Sequence, residues 1–119
     1  MLFRSLEAQG FKLKIGRFPL AALGRALTLG SSEGLIKMIA DEETDLVLAV
    51  HAFGPNASDI IGEACLALEM AATVDDIALT VHPHPTLSEL MLEAAEATDR
   101  KSTRLNSSHS TLSRMPSSA

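Results

Sequence analysis

Leu35-Ile-Lys-Met-Ile-Ala40, then Asp41-Glu-Glu-Thr-Asp45, then Leu46-Val-Leu-Ala-Val-His-Ala-Phe53: two apolar runs flank a short polar stretch. Both runs have strand length and composition, and the stretch between them suits a hairpin loop. Just upstream, Lys12-Leu-Lys-Ile15 alternates polar and apolar residues, the period of a half-buried strand. Three strands in chain order predict an antiparallel meander. Gly16, Pro19 and Gly24 interrupt the pattern, so residues 16–33 read as an irregular connection with a helical turn near Ala21-Ala-Leu23. Residues 5–9 read as the last turns of a helix stopped by Gly10.

After Gly54-Pro55 the period becomes helical. Ile61, Ala64, Cys65, Leu68 and Ala72 form one apolar stripe, with Asn56 and Asp59 placed to cap the helix start. Core packing is the expected use of that stripe, and a subunit contact the alternative. Cys65 within it reads as a small buried hydrophobe. Thr73-x-x-Asp76 predicts a capped short helix over 75–80, and a last helix is expected after Pro85, capped by Thr86 with Glu89 at its third position. Strands followed by helices give an α+β fold: an antiparallel three-stranded sheet with helices packed on one face.

Hydrophobic residues make up 46% of the 119, but aromatics only 3%, so the core must be aliphatic. No apolar run approaches the roughly 18 residues of a membrane span, and from Met1-Leu-Phe-Arg-Ser-Leu-Glu7 no secretory signal is expected. The lone Cys65 has no internal disulfide partner, which fits a reducing compartment. A formal charge of -5 argues against a nucleic-acid partner.

Composition changes at Asp99. Residues 99–119 hold nine Ser or Thr in 21 positions and no structural period, the composition of a disordered tail. Asp99-Arg-Lys-Ser-Thr-Arg-Leu-Asn-Ser-Ser-His109 resembles the in-frame translation of a common short-read sequencing adapter. We therefore expect the domain to be residues 1–98, truncated at both ends, followed by an adapter-derived tail. Without the tail, 6 basic and 14 acidic side chains remain, a formal charge of -8, so the domain is an acidic module.

The chemistry is concentrated in Val81-His-Pro-His-Pro-Thr-Leu-Ser-Glu89. Pro85 disfavours a helical conformation at His84, placing that residue in a constrained loop at a helix start. A neutral imidazole there can accept a proton, and Glu89 can hold the other ring nitrogen and balance the imidazolium that forms. From spacing alone, a plain capping box with Thr86 is the stronger reading of Glu89. His82 and His84 also stand at a His-x-His spacing seen in metal sites. With no nearby cysteine and no clear third ligand, we read no metal site here.

Five blocks carry a family resemblance: Gly16-Arg-Phe-Pro19, Gly34-Leu-Ile-Lys-Met-Ile-Ala-Asp41, Thr44-Asp-Leu-Val-Leu-Ala-Val-His51, Gly54-Pro-Asn-Ala57 and His82-Pro-His-Pro-Thr-Leu-Ser-Glu89. In order and spacing, over about residues 7–97, they resemble the C-terminal dimerisation domain of the dihydrolipoyl dehydrogenases, flavoprotein pyridine nucleotide-disulfide oxidoreductases. The resemblance implies an FAD- and NAD-dependent homodimeric parent enzyme that oxidises dihydrolipoamide. His84 would be its general base and Glu89 the base's partner. It also implies a cis His84–Pro85 bond, a His82 backbone near the flavin of the partner subunit, and a His84 that serves the partner's active site. Lipoamide would arrive on an acyltransferase or glycine-cleavage carrier protein, in the cytoplasm of a bacterium or the mitochondrial matrix of a eukaryote. The chain departs from the complete pattern: it contains no Gly-x-Gly-x-x-Gly and no Cys-x-x-x-x-Cys. Alone, it is expected to be inactive and to bind neither FAD nor NAD. The alternatives are the same domain from another flavoprotein disulfide reductase, or a stand-alone interaction module without catalysis.

Overall fold

The computed structural model describes residues 2–102. Its sheet has three strands, β1 (Leu13–Pro19), β2 (Leu35–Asp41) and β3 (Val47–Phe53), hydrogen-bonded antiparallel in the order β1-β2-β3. The expected meander and α+β class are therefore present. Helices α1 (Leu2–Ala8), α2 (Gly24–Leu29), α3 (Ala57–Glu69), α4 (Val74–Leu79) and α5 (Glu89–Ser102) complete the described chain.

Register places Gly16 opposite Met38 and Met38 opposite Val50, with Phe18, Ile36 and Ala52 forming the next row on the same face. Helix α5 packs on β1 and β2, α3 packs on β3, and α4 packs on α5. Between these layers lies the core: Ile36, Met38 and Ala40 from the sheet, Ile60, Ala64 and Ala67 from α3, Val74 and Ile77 from α4, and Leu90, Met91, Ala94 and Ala95 from α5. Leu20, Leu23 and Ala26 close it at one end. Each large side chain fully withdrawn from water contributes roughly 1.5–3 kcal/mol, so this aliphatic set is sufficient without Trp or Tyr.

Four expectations are corrected. First, residues 16–33 are mostly regular: the helical turn expected near Ala21 is present, and 31–33 have no regular structure. β1 continues through Gly16 to Pro19, a 3-10 turn covers Leu20–Ala22, and α2 follows, ended by Gly30 at φ 70. Pro19 is tolerated because it ends a strand that lies at the edge of the described sheet, where a missing N–H breaks no ladder. Gly16 is required by packing: a Cβ there would lie under 3.0 Å from the backbone N and Cα of Thr98 and from its hydroxyl. Helix α5 thus crosses β1 with no room for a side chain.

Second, the buried stripe of α3 is Ile60, Ala64 and Ala67, with Ile61 and Ala72 only partly covered. Cys65 is exposed, and so are Leu66, Leu68 and Met70. The helix carries apolar residues around most of its circumference, so periodicity alone cannot select the covered face. Small residues let α3 approach the sheet, and the larger ones face outward. Third, Asn56 does not cap α3 with its side chain; it adopts a left-handed conformation at φ 61 instead. Fourth, α5 begins at Glu89 rather than directly after Pro85. It runs on through Ser102, while residues 103–119 of the expected tail lie outside the described residues.

The capping box of α4 is formed as expected: the Thr73 hydroxyl accepts from Asp76 N at 3.0 Å, and Asp76 accepts from Thr73 N at 2.9 Å. Asp45 anchors the start of that helix to the sheet. Its carbonyl accepts from Val74 N at 2.8 Å, its carboxylate accepts from Asp75 N at 3.0 Å, and the buried Lys14 ammonium of β1 lies 2.5 Å from the same carboxylate. The β2–β3 turn therefore positions α4, and α4 delivers the chain to the histidine loop.

Candidate functional site

Residues 80–88 leave α4 and turn into α5 without regular structure. The His84–Pro85 bond is cis, as the resemblance implied. Thr86 O–H donates to the Pro83 carbonyl at 2.6 Å and meets the Ser88 hydroxyl at 2.8 Å. That hydroxyl is therefore committed to the loop, and the Thr86 side chain does not cap α5. The helix start is tightened instead by i to i+3 backbone bonds, Leu90 N–H to Leu87 O at 3.0 Å and Met91 N–H to Ser88 O at 3.1 Å.

Glu89 performs both tasks that spacing left in competition. Its Oε1 accepts from Thr86 N–H at 2.9 Å, half of the anticipated capping box. The same carboxylate faces His84 Nδ1, at 3.0 Å through Oε1 and 3.1 Å through Oε2. The Glu89 side chain is 15% exposed and that of His84 is 78% exposed. The carboxylate is held beneath a ring that projects into solvent. An ionised carboxylate only accepts, so Nδ1 carries the hydrogen, and Nε2 is left as the outward acceptor. This is the tautomer a proton acceptor requires.

The Glu89 carboxyl is held below its ordinary value, first by the Thr86 backbone N–H and then by the hydrogen bond and charge of His84, against the opposing effect of burial. A carboxyl with a depressed folded-state value binds protons less readily than in the unfolded chain. Its stabilising contribution is present above the ordinary carboxyl value of 4.5 and is lost as pH falls through that value toward the depressed one. Equilibrium unfolding of the wild type and of Glu89→Gln should therefore differ most above pH 4.5 and converge on acidification. A constant difference across that range would show that Glu89 carries no such linkage.

His82 points the other way. Its side chain is 4% exposed, with Nε2 2.7 Å from Oε2 of Glu63 on α3 and Nδ1 2.9 Å from the Thr80 carbonyl. Both ring nitrogens are thereby occupied, and the structure does not bring His82 and His84 together as a chelating pair. Among the described residues no group of three or more His, Cys, Asp or Glu is placed to hold a metal ion. Nor is any described helix long and apolar enough to cross a membrane. Sequence reasoning missed Glu63 altogether: it lies 19 residues from His82, and nothing in its local pattern marks it. Beside this pair is a cavity of about 390 Å³, lined by Leu66 and Met70 of α3, Ile77 of α4, and Val81.

The chain belongs to the family described as pyridine nucleotide-disulphide oxidoreductase, dimerisation domain, whose model matches residues 4–95. Within that family the sequence is similar to proteins named dihydrolipoyl dehydrogenase. It is 62% identical over 88 residues to a dihydrolipoyl dehydrogenase of Thermus scotoductus, covering 74% of this chain and 19% of that protein. Against the dihydrolipoyl dehydrogenase of Bacillus subtilis it is 50% identical over 95 residues, 80% of this chain and 20% of the relative. A mitochondrial dihydrolipoyl dehydrogenase of Caenorhabditis elegans is 49% identical over 89 residues, 75% of this chain and 18% of the relative. Among solved structures, LpdA of Mycobacterium tuberculosis superposes with TM-score 0.72 at 26% identity, covering 79% of this chain and 20% of that one. The HOCl-induced flavoprotein disulfide reductase RclA of Escherichia coli shares the fold, with TM-score 0.74 at 18% identity over 78% of this chain and 21% of that one. The chain thus spans about a fifth of the length of the curated relatives it matches.

Proposed function

We propose that this chain is the dimerisation domain of a dihydrolipoyl dehydrogenase, and that His84 and Glu89 supply its general base. The observation that carries the reading is the Nδ1–Glu89 contact, which leaves Nε2 of an exposed ring free to accept. In this reading Nε2 takes the proton from one thiol of dihydrolipoamide: the S–H bond breaks, an N–H bond forms, and Glu89 balances the imidazolium. The thiolate so formed attacks a disulfide held by the rest of the enzyme. FAD and NAD would be held by that remainder, since this chain has no Gly-rich phosphate cradle, and would supply two-electron redox chemistry there. The His82 backbone would lie beside the flavin of the partner subunit.

The exposed apolar side chains Leu66, Met70, Leu79 and Val81 support a homodimer contact on the face that carries the histidine loop. Lipoamide would be delivered on an acyltransferase or glycine-cleavage carrier protein, in the bacterial cytoplasm or the mitochondrial matrix. The test is to express the complete reading frame that contains this domain and assay it with dihydrolipoamide and NAD, and separately with glutathione disulfide and a reduced pyridine nucleotide. Turnover of dihydrolipoamide is the expected result. Turnover of glutathione disulfide alone would assign the domain to another disulfide reductase, and a frame with no further domain would leave a non-catalytic interaction module.

A further inference from the structure

Of the two histidines in the loop, the buried one is the better held. His82 Nδ1 lies 2.9 Å from the Thr80 carbonyl and Nε2 lies 2.7 Å from the Glu63 carboxylate, so both ring nitrogens are held. The first contact closes the turn Thr80-Val-His82 at the end of α4. The second ties that turn to the middle of α3, which is itself packed on β3. From this anchor to His84 there is one residue, Pro83, whose φ is fixed by its ring, and Pro85 follows His84 directly. On the far side, Thr86 O–H returns to the Pro83 carbonyl at 2.6 Å. The exposed ring of His84 is thus carried on a short backbone segment with little freedom between two fixed points.

Glu89 sets which nitrogen of His84 is free, but it does not set where the loop stands relative to α3. We propose that Glu63 and His82 form a positioning clamp that sets the placement of His84; this rests on the reading of His84 as the base. Glu63 touches no reacting group in this account and acts only through His82. A buried, hydrogen-bonded histidine that merely stabilises the fold would be lost with the same contacts, so the test must separate placement from stability.

The separation comes from a double-mutant cycle in the complete homodimeric enzyme. Glu63→Ala is expected to lower dihydrolipoamide turnover tenfold or more while flavin content and dimer mass stay normal. Glu63→Gln, whose amide oxygen keeps an acceptor at the same reach, should recover most of that loss. In a His84→Gln background, Glu63→Ala should cost less than twofold further, because no base remains to be placed. Independent, multiplicative losses would overturn the clamp and leave Glu63 acting on another step. If Glu63→Ala yields no folded enzyme, Glu63→Asp, one methylene shorter, goes through the same cycle with the same expected non-additivity. A large loss in His84→Gln with none in Glu63→Ala overturns the clamp alone; wild-type turnover in His84→Gln overturns the base assignment beneath it.

Discussion

Replacing His84 by Gln in the complete enzyme is expected to slow dihydrolipoamide oxidation by about 10²–10⁴-fold, the usual contribution of a positioned general base. Gln has similar reach and can still donate an amide N–H to Glu89, so the loop and the α5 start should survive. It has no nitrogen that can take up a proton near neutral pH, and the thiol must then ionise unaided. Flavin content and dimer mass should match the wild type, because Gln keeps the contact to Glu89 that holds the loop. Glu89→Gln should cost less, since His84 stays in place and loses only the charge that balances its protonated form. Single-turnover reduction by dihydrolipoamide is the measurement to make, because it isolates the thiol step from later electron transfer. A His84→Gln enzyme with unchanged turnover would remove the base assignment.

The largest effect on stability is expected from Gly16→Ala. A single methyl at this position would lie under 3.0 Å from Thr98 N, Cα and Oγ1. Two of those atoms are backbone of α5 and cannot rotate away, so either the helix must lift off β1 or the strand must bend. Overpacking of this kind costs about 1–3 kcal/mol, and the backbone partners place this case at the upper end. For a domain of this size that corresponds to a fall in Tm of roughly 10–20 °C. Trimming Thr98 to Ala should not rescue the variant, because the backbone atoms remain. Thermal or denaturant unfolding of the chain checks the prediction, and an unchanged midpoint would mean that α5 does not cross β1 so closely.

The parts of this molecule that could be read in the sequence are those whose cause is local. The β2–β3 hairpin follows from two apolar runs and the polar turn between them, and the α4 capping box from Thr73 and Asp76 three residues apart. The constraint on the histidine loop is local, because proline fixes its backbone, but spacing alone favours a capping box for Glu89, and its pairing with His84 is an expectation that only the resemblance favours. What could not be read depends on contacts between distant residues. Gly16 and Pro19 signal a break, yet β1 continues through both, because pairing with β2 and the approach of α5 outweigh their weak strand preference. The phase of α3 is not legible in the sequence, because Ile60 and Ile61 begin two equally apolar stripes and only the sheet determines which is covered. Cys65 lies outside the covered one. Glu63 and Asp45 look like ordinary surface acids in sequence; their partners, His82 and the start of α4, are supplied by the fold.

The meeting of Gly16 with Thr98 also has a consequence for how the polypeptide assembles as it is made. The two residues are separated by about 80 positions, so the contact carries a high loop-closure cost and cannot nucleate the domain. The β2–β3 hairpin is local and can form early, but the face bearing Met38 and Ile36 is covered by Met91 and its neighbours, among the last described residues to be synthesised. Until α5 has been translated, the part of that face over β1 and β2 stays open to solvent. That interval is when non-native association competes with folding, and a chaperone that binds bare apolar strands would act there.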